Sequence, residues 1–131
     1  MTLGLKIVCA LYGVLMGLLG VRWWFSFDGI AAEWFIQPLS LVGVNNLTAD
    51  LGSLFLGSAI MIGLGLRPGR SAWLLPVAVL MAIAAAGRLL AYTTAGYTPD
   101  ALVPLVFEIA SCGALVLTHQ RMSRLEPAQK V

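Results

Sequence analysis

Apolar side chains fill four long runs of this chain, and most polar and charged residues lie between those runs. The runs cover residues 5–25, 51–66, 71–91 and 101–118. A helix needs about 20 apolar residues, each rising 1.5 Å, to cross a hydrocarbon core of about 30 Å. The pattern therefore predicts an all-α fold, a four-helix transmembrane bundle that forms a single domain over residues 1–131.

Composition supports this prediction and limits the function. Hydrophobic residues make up 60% of the chain and charged residues 11%, whereas soluble domains average about 25% charged residues. The net charge of +2 is small and its cations are dispersed, so we expect no nucleic-acid partner. A cleaved signal peptide is not expected, because the first run is too long and three more runs follow it.

The loops differ in charge, and this difference predicts the orientation in the membrane. The first loop, residues 26–49, contains Asp28 and Glu33 but no Lys or Arg. The second loop and the C-terminal tail contain Arg67, Arg70, Arg121, Arg124 and Lys130. The positive-inside rule then places both termini in the cytoplasm, with Arg22 at the outer end of the first span as the exception.

Half of the twelve aromatic residues lie in thirteen positions, 23–35, where the first span ends and the first loop begins. Tryptophan at a span boundary is typical of the headgroup layer. We expect a short interfacial helix over residues 29–37, capped by Asp28 and ended by Pro38. This segment either anchors the protein or forms a lid over an opening toward the outer leaflet, beneath Trp23, Trp34 and Phe35.

Polar residues associated with the spans are expected at one depth, in the outer half of the bundle. Asn46 and Asp50 open the second span, while Arg88 and Tyr92 lie four residues apart on one face of the third. Glu108 lies about 10 Å below the outer end of the fourth span. An isolated charge at mid-membrane costs about 2.5–3.5 kcal/mol or more, so pairing of Arg88 with Glu108 is predicted, with Asp50 as the second possible partner.

This polar cluster indicates either a register-fixing ion pair or a binding site for the polar end of an apolar molecule. In the second interpretation Arg88, Asn46, Tyr92, Arg22 and Trp34 bind the ligand. The acid–base (catalytic) candidates are Glu108 and Asp50, because an incompletely matched carboxylate suits proton transfer. Whether the protein is an enzyme stays open.

Other chemistry has little support in the sequence. The chain has one His and two Cys, Cys9 and Cys112, which lie in different runs. We therefore predict no metal site and no cofactor, and interpret the cysteines as buried small side chains. Small residues recur every fourth position in each run, as in Gly13 and Gly17, which suits packing within the bundle, a homo-oligomer, or a larger membrane assembly.

The stretch from Ala86 through Gly87 and Arg88 to Gly96, followed by Glu108, resembles a bacterial membrane-protein family, the domain-of-unknown-function 4345 type. The corresponding residues of the second run are Asn46, Asp50, Gly52 and Gly57. The resemblance implies four helices in a bacterial inner membrane and supplies no activity; many members have a basic residue where this chain has Asp50. A looser similarity is to the DoxX-like proteins.

Three functions follow from these observations. The first is binding, with or without acid–base conversion such as isomerisation, of an apolar or lipid-like molecule. The second is a structural or accessory subunit of a larger membrane complex. The third function is a small transporter or channel, which we rank last because the polar residues stop at half the depth of the membrane. The second apolar run is similar to that of small fluoride channels, but the third apolar run lacks the Thr- and Phe-rich break of those channels.

Overall fold

The computed structural model describes residues 2–125, which are almost entirely helical and include no strand. Lys130 lies outside the described residues. Four of the helices are long and apolar enough to cross a membrane, which confirms the prediction of an all-α fold and is consistent with a four-helix bundle. The helices are α1 Thr2–Phe25, α2 Phe27–Glu33, α3 Leu41–Gly65, α4 Leu74–Thr94 and α5 Leu102–Leu125, with 3-10 turns at Ser71–Trp73 and Pro99–Ala101.

Helix α3 begins ten residues earlier than its apolar run, at Leu41 instead of residue 51. Ser40 starts it, because its Oγ accepts a hydrogen bond from the backbone N–H of Gly43 at 3.3 Å and its carbonyl accepts one from Val44. Asn46 and Asp50, expected at the outer opening of the span, therefore lie inside the helix. Isolated polar residues interrupt an apolar run without ending a helix.

The other spans also extend beyond their apolar runs. Helix α4 continues to Thr94, and the hydroxyls of Thr93 and Thr94 donate hydrogen bonds to the carbonyl of Leu90. Helix α5 continues to Leu125, about 10 Å past the predicted end at residue 118. Asp100 lies within the 3-10 turn that precedes α5, and that turn begins after Thr98.

Helix α2 lies in the first loop, where a short helix was predicted, but its bounds differ. It begins at Phe27 after Ser26, so Asp28 is in its first turn and does not cap it. It ends at Glu33 because Phe35 has a left-handed φ of 56°. The backbone N–H of Ile36 donates a hydrogen bond to the carbonyl of Ala31, and the N–H of Phe35 donates one to the carbonyl of Ala32. These two bonds form a Schellman motif. Pro38 comes later and does not end the helix.

The chain divides into two compact units. The terminal unit contains the described residues up to Ala10 and from Met61 onward, and the central unit is Leu11–Ile60.

Helices α4 and α5 pack against each other as an antiparallel hairpin in the terminal unit. Arg88, late in α4, contacts Glu108, early in α5, at one end. Ser71, just before α4, hydrogen-bonds His119, late in α5, at the other end. The buried residues recur every three or four positions, as expected for helix faces; they are Leu74, Val77, Ala78, Met81 and Ala85 on α4 and Leu105, Glu108, Ser111, Leu115, Thr118 and Met122 on α5.

The start of α1 joins the His119 end of this hairpin. The Sγ of Cys9 lies 3.2 Å from the Oγ1 of Thr118, and both residues are buried. Cys9 and Cys112 are free thiols, and burial of Cys9 confirms the prediction for that residue. The same end of the terminal unit has the basic residues that flank these helices: Lys6, Arg67, Arg70, Arg121 and Arg124.

Aromatic and aliphatic side chains form the core of the central unit. Trp23, Ile30 and Ala31 are its fully buried members. Helix α1 approaches α3 closely at Gly20, where a Cβ would lie 2.8 Å from the backbone nitrogen of Leu56. Only glycine permits this distance between the two backbones.

Candidate functional site

Arg88 and Glu108 form the predicted ion pair, which the structure confirms. The Nε of Arg88 donates a hydrogen bond to the Oε1 of Glu108 at 2.8 Å. Arg88 lies three residues after Ala85 and continues the buried face of α4, while Glu108 belongs to the buried face of α5. Each residue lies six positions from the nearest end of its helix, about 9 Å along the axis. The antiparallel packing of the hairpin therefore brings the two charges to one depth.

The two partners differ in exposure. The Glu108 side chain is 10% exposed and that of Arg88 is 35% exposed. A buried carboxylate without a partner is costly, whereas the long arginine side chain reaches toward the surface. The carboxylate therefore depends on the pair more than the guanidinium does.

The pair satisfies only part of its hydrogen-bonding capacity. The Oε2 of Glu108 is buried and has no hydrogen-bond partner among the described residues. The single contact also uses only the Nε–H of Arg88, and no protein group in the described part of the chain accepts from its terminal nitrogens. Most buried polar atoms in proteins are hydrogen-bonded, so an unpartnered carboxylate oxygen beside free guanidinium donors needs an explanation.

Tyr92 adds a third unsatisfied group to the terminal unit. It lies one helical turn after Arg88 on the same face of α4. Its hydroxyl is buried and lacks a partner among the described residues, while its ring packs edge-on against Tyr97 at 5.3 Å between centroids. We use the name hairpin site for the Arg88–Glu108 pair together with Tyr92, which lies one turn along α4 from Arg88.

The central unit contains a second ion pair, which sequence reasoning missed. Arg22 donates to both carboxylate oxygens of Glu33, from Nη1 to Oε2 at 2.9 Å and from Nη2 to Oε1 at 2.7 Å. Hydrogen bonding and charge attraction from Arg22 lower the pKa of Glu33. The pair joins the end of α1 to the end of α2, so the exceptional cation at that end of the first span has a carboxylate partner. The available signal for this pair in the sequence was a carboxylate, Glu33, in the loop that follows Arg22.

Trp34 also belongs to the central unit and helps to hold α2 in place. Its ring meets those of Trp23 and Phe55 edge-on, at 5.8 and 5.5 Å. The Nε1 of Trp23 is buried and has no hydrogen-bond partner in the described region. Trp34 therefore packs as part of an aromatic cluster between α1, α2 and α3.

Asn46 and Asp50 are exposed on α3, one turn apart. The backbone carbonyl of Asp50 accepts a hydrogen bond from the hydroxyl of Ser53. Both residues belong to the central unit, whereas the hairpin site is defined by residues of the terminal unit alone. Their roles in ligand binding or proton transfer stay predictions.

An open groove of about 430 Å³ lies beside α2 in the central unit. Its lining is Phe27, Asp28, Ala31, Ala32, Ile36, Gln37, Pro38 and Val44. None of the predicted site residues lines this groove, so it is separate from the predicted cavity beneath Trp23, Trp34 and Phe35.

Within residues 2–125, no group of three or more His, Cys, Asp or Glu side chains is arranged to hold a metal ion. The chain matches no family model, no curated protein and no solved structure, so the family resemblance at Arg88 and Glu108 stays a prediction.

Proposed function

We propose that this protein is a multi-pass protein of a bacterial inner membrane that binds an apolar or lipid-like small molecule at the hairpin site. Arg88 and Tyr92 hold the polar end of that molecule, and the apolar remainder lies in the bilayer along α4 and α5. Glu108 is placed for acid–base chemistry on the bound molecule, and isomerisation is the strongest form of this proposal.

The incomplete pairing of Glu108 is the observation that carries the proposal. The Arg22–Glu33 pair uses two hydrogen bonds, although it is exposed and could be satisfied by water. The Arg88–Glu108 pair uses one, although Glu108 is buried and would gain most from a second. A pair that only fixes helix register would be expected to satisfy itself, so the free atoms suit a third group.

Charge and depth support access from the outer leaflet. The hairpin site lies about 9 Å from the ends of α4 and α5, within the outer half of a hydrocarbon core of about 30 Å. The basic residues of the terminal unit flank the opposite end. By the positive-inside rule that end faces the cytoplasm, together with both termini. A molecule dissolved in the outer leaflet would then reach the site laterally.

Chemistry at the site follows from which atoms remain free. The Oε2 of Glu108 can accept a proton from a bound molecule, while Arg88 stabilises negative charge on an adjacent oxygen. A buried carboxylate beside a specific charged partner is a common setting for functional acidic residues.

An inventory of co-purifying molecules tests the proposal. Wild type, the double variant Arg88→Ala/Glu108→Gln and a control double variant, Arg22→Ala/Glu33→Gln, are purified in mild detergent, and their bound small molecules are identified by mass spectrometry. We expect one molecule to be enriched with wild type and with the control but lost from the Arg88/Glu108 variant. Identical inventories from all three proteins would contradict the proposal.

Exposed small residues favour a second function, that of an accessory subunit. Ala82 and Ala86 on α4 and Ala110 on α5 are exposed, and a Cβ added at Gly87 would meet no described atom within 4 Å. Small residues on a lipid-facing helix allow close approach of another helix. If the protein is a subunit, substituting Ala86 by Trp should release it from a larger complex in mild-detergent size exclusion; an unchanged elution volume would contradict this function.

A further inference from the structure

We infer that the molecule bound at the hairpin site has a neutral head that contains a hydroxyl group. This inference rests on the proposed function and specifies the ligand class. It excludes fatty acids, phosphate-bearing lipids and amines as the preferred ligands, although all of them have apolar tails.

The free hydrogen-bonding atoms require a head that both donates and accepts. The Oε2 of Glu108, as a carboxylate oxygen, only accepts. The terminal nitrogens of Arg88 only donate. A hydroxyl serves both, since its proton reaches Glu108 and its oxygen lone pairs face Arg88. An ether or ester oxygen accepts only and leaves Glu108 unsatisfied, whereas an ammonium group donates only and leaves Arg88 unsatisfied.

The hydroxyl of Tyr92 fits the same class of ligand. It is buried without a partner and can act as donor or acceptor. A second polar atom on the ligand, or the ligand hydroxyl itself, therefore gains a hydrogen bond that the protein does not supply.

The charges at this end of the terminal unit do not suit an anionic head, and the position of Arg88 opposes a cationic one. The charges of Arg88 and Glu108 sum to zero, and within the terminal unit Asp100 is the other charged residue near this end of the hairpin. The basic residues flank the opposite end, which begins at Ser71, seventeen residues or about 25 Å along α4 from Arg88. An anionic head would therefore meet an arginine already neutralised by a carboxylate. A cationic head would face Arg88 directly.

A competition experiment with ligands of one chain length tests this inference. The full-length protein in phospholipid nanodiscs is photolabelled with a dodecanol that has a diazirine in mid-chain, and labelled peptides are quantified by mass spectrometry. Unlabelled 1-dodecanol, dodecyl methyl ether, dodecanoate and dodecylamine are the competitors. We expect dodecanol to reduce labelling of α4 and α5 at about one tenth of the concentration that each of the other three needs, because one or two hydrogen bonds change the affinity about tenfold.

Two conservative variants locate the head group. Tyr92→Phe keeps the ring that packs on Tyr97 and removes only the hydroxyl, so dodecanol should compete several-fold more weakly. Tyr97→Phe is the matched control, because the Tyr97 side chain is mostly exposed, and it should behave as wild type. Equal competition in the two variants would remove Tyr92 from the site and overturn that part of the inference.

The outcomes separate this inference from the proposed function. If dodecanoate or dodecylamine displaces the label as well as dodecanol does, the neutral-hydroxyl inference is overturned while a binding site remains. If the ether competes equally, donation to Glu108 is not used and the inference also fails. If no competitor reduces the labelling of α4 and α5, the proposed function fails as well.

Discussion

Removing Arg88 should destabilise the protein strongly, and removing its partner as well should restore most of the loss. The test compares Arg88→Ala, Glu108→Gln and the double variant with wild type. Arg88→Ala leaves a carboxylate that is nine-tenths buried without the single hydrogen bond it makes. Glu108→Gln leaves the guanidinium unpaired, but its side chain is one-third exposed and can reach water or headgroups.

The expected magnitudes follow from these exposures. An unpaired buried carboxylate costs several kcal/mol. We expect Arg88→Ala to lose about 3 kcal/mol and Glu108→Gln about 1 kcal/mol. The double variant should lie within about 1 kcal/mol of wild type.

The free energy of unfolding is measured by SDS titration in mixed micelles, with far-ultraviolet circular dichroism as the signal.

A second mutant cycle, at Arg22 and Glu33, is the control for this experiment. The expected coupling energy between Arg88 and Glu108 is about 3 kcal/mol. Both side chains of the Arg22–Glu33 pair are exposed, so the coupling energy of that pair should be much smaller. If the effects of Arg88→Ala and Glu108→Gln simply add, the two residues are not energetic partners and the reasoning is refuted.

Three further predictions concern packing, pH and orientation. Gly20→Ala should lower the free energy of unfolding by about 1–3 kcal/mol, because the added Cβ meets the backbone of α3. Gly57→Ala is the control and should leave the free energy of unfolding unchanged, because a Cβ there meets open space. Equal losses in the two variants would contradict the close approach of α1 to α3. Because Arg22 lowers the pKa of Glu33, the pair stabilises the protein at pH values above the ordinary glutamate pKa of about 4.3, and this stabilisation is lost as pH falls from there through the lowered pKa. Wild type and Glu33→Gln should therefore have equal free energies of unfolding only below about pH 4. Equal values at neutral pH would contradict a stabilising pair. With the native cysteines replaced, Pro68→Cys should resist an impermeant thiol reagent in intact cells while Asp28→Cys reacts; the reverse would overturn the orientation.

The long helices and the deep ion pair could be predicted because each depends on a simple rule. Apolar runs of bilayer length indicate spans, and two opposite charges at similar depth on sequential helices have few other partners. The start of α3 was missed because hydropathy detects the apolar part of a helix and not its beginning. Ser40, two residues after Pro38, was the available cap signal.

Other features depend on tertiary geometry that a single sequence does not contain. Phe35 ends α2 in a left-handed conformation that glycine usually adopts, so no residue type marked that position. The partner of Arg22 depends on where α2 ends relative to α1. The free atoms of Glu108 and Tyr92 depend on side-chain directions, and they distinguish a candidate site from a satisfied ion pair.

Photocrosslinking from within the hairpin site shows directly whether a small molecule binds there. The photoreactive amino acid p-benzoylphenylalanine is placed at Tyr92, where its first ring replaces that of tyrosine and its ketone oxygen replaces the hydroxyl as a hydrogen-bond acceptor, and separately at Leu90, which is 64% exposed on the same helix. After irradiation in native membranes, intact-mass measurement identifies what each position has captured. We expect one defined small-molecule adduct at position 92 and a mixture of bulk phospholipids at position 90. The same phospholipid mixture at both positions, or capture at position 92 of protein alone, would contradict ligand binding at the hairpin site.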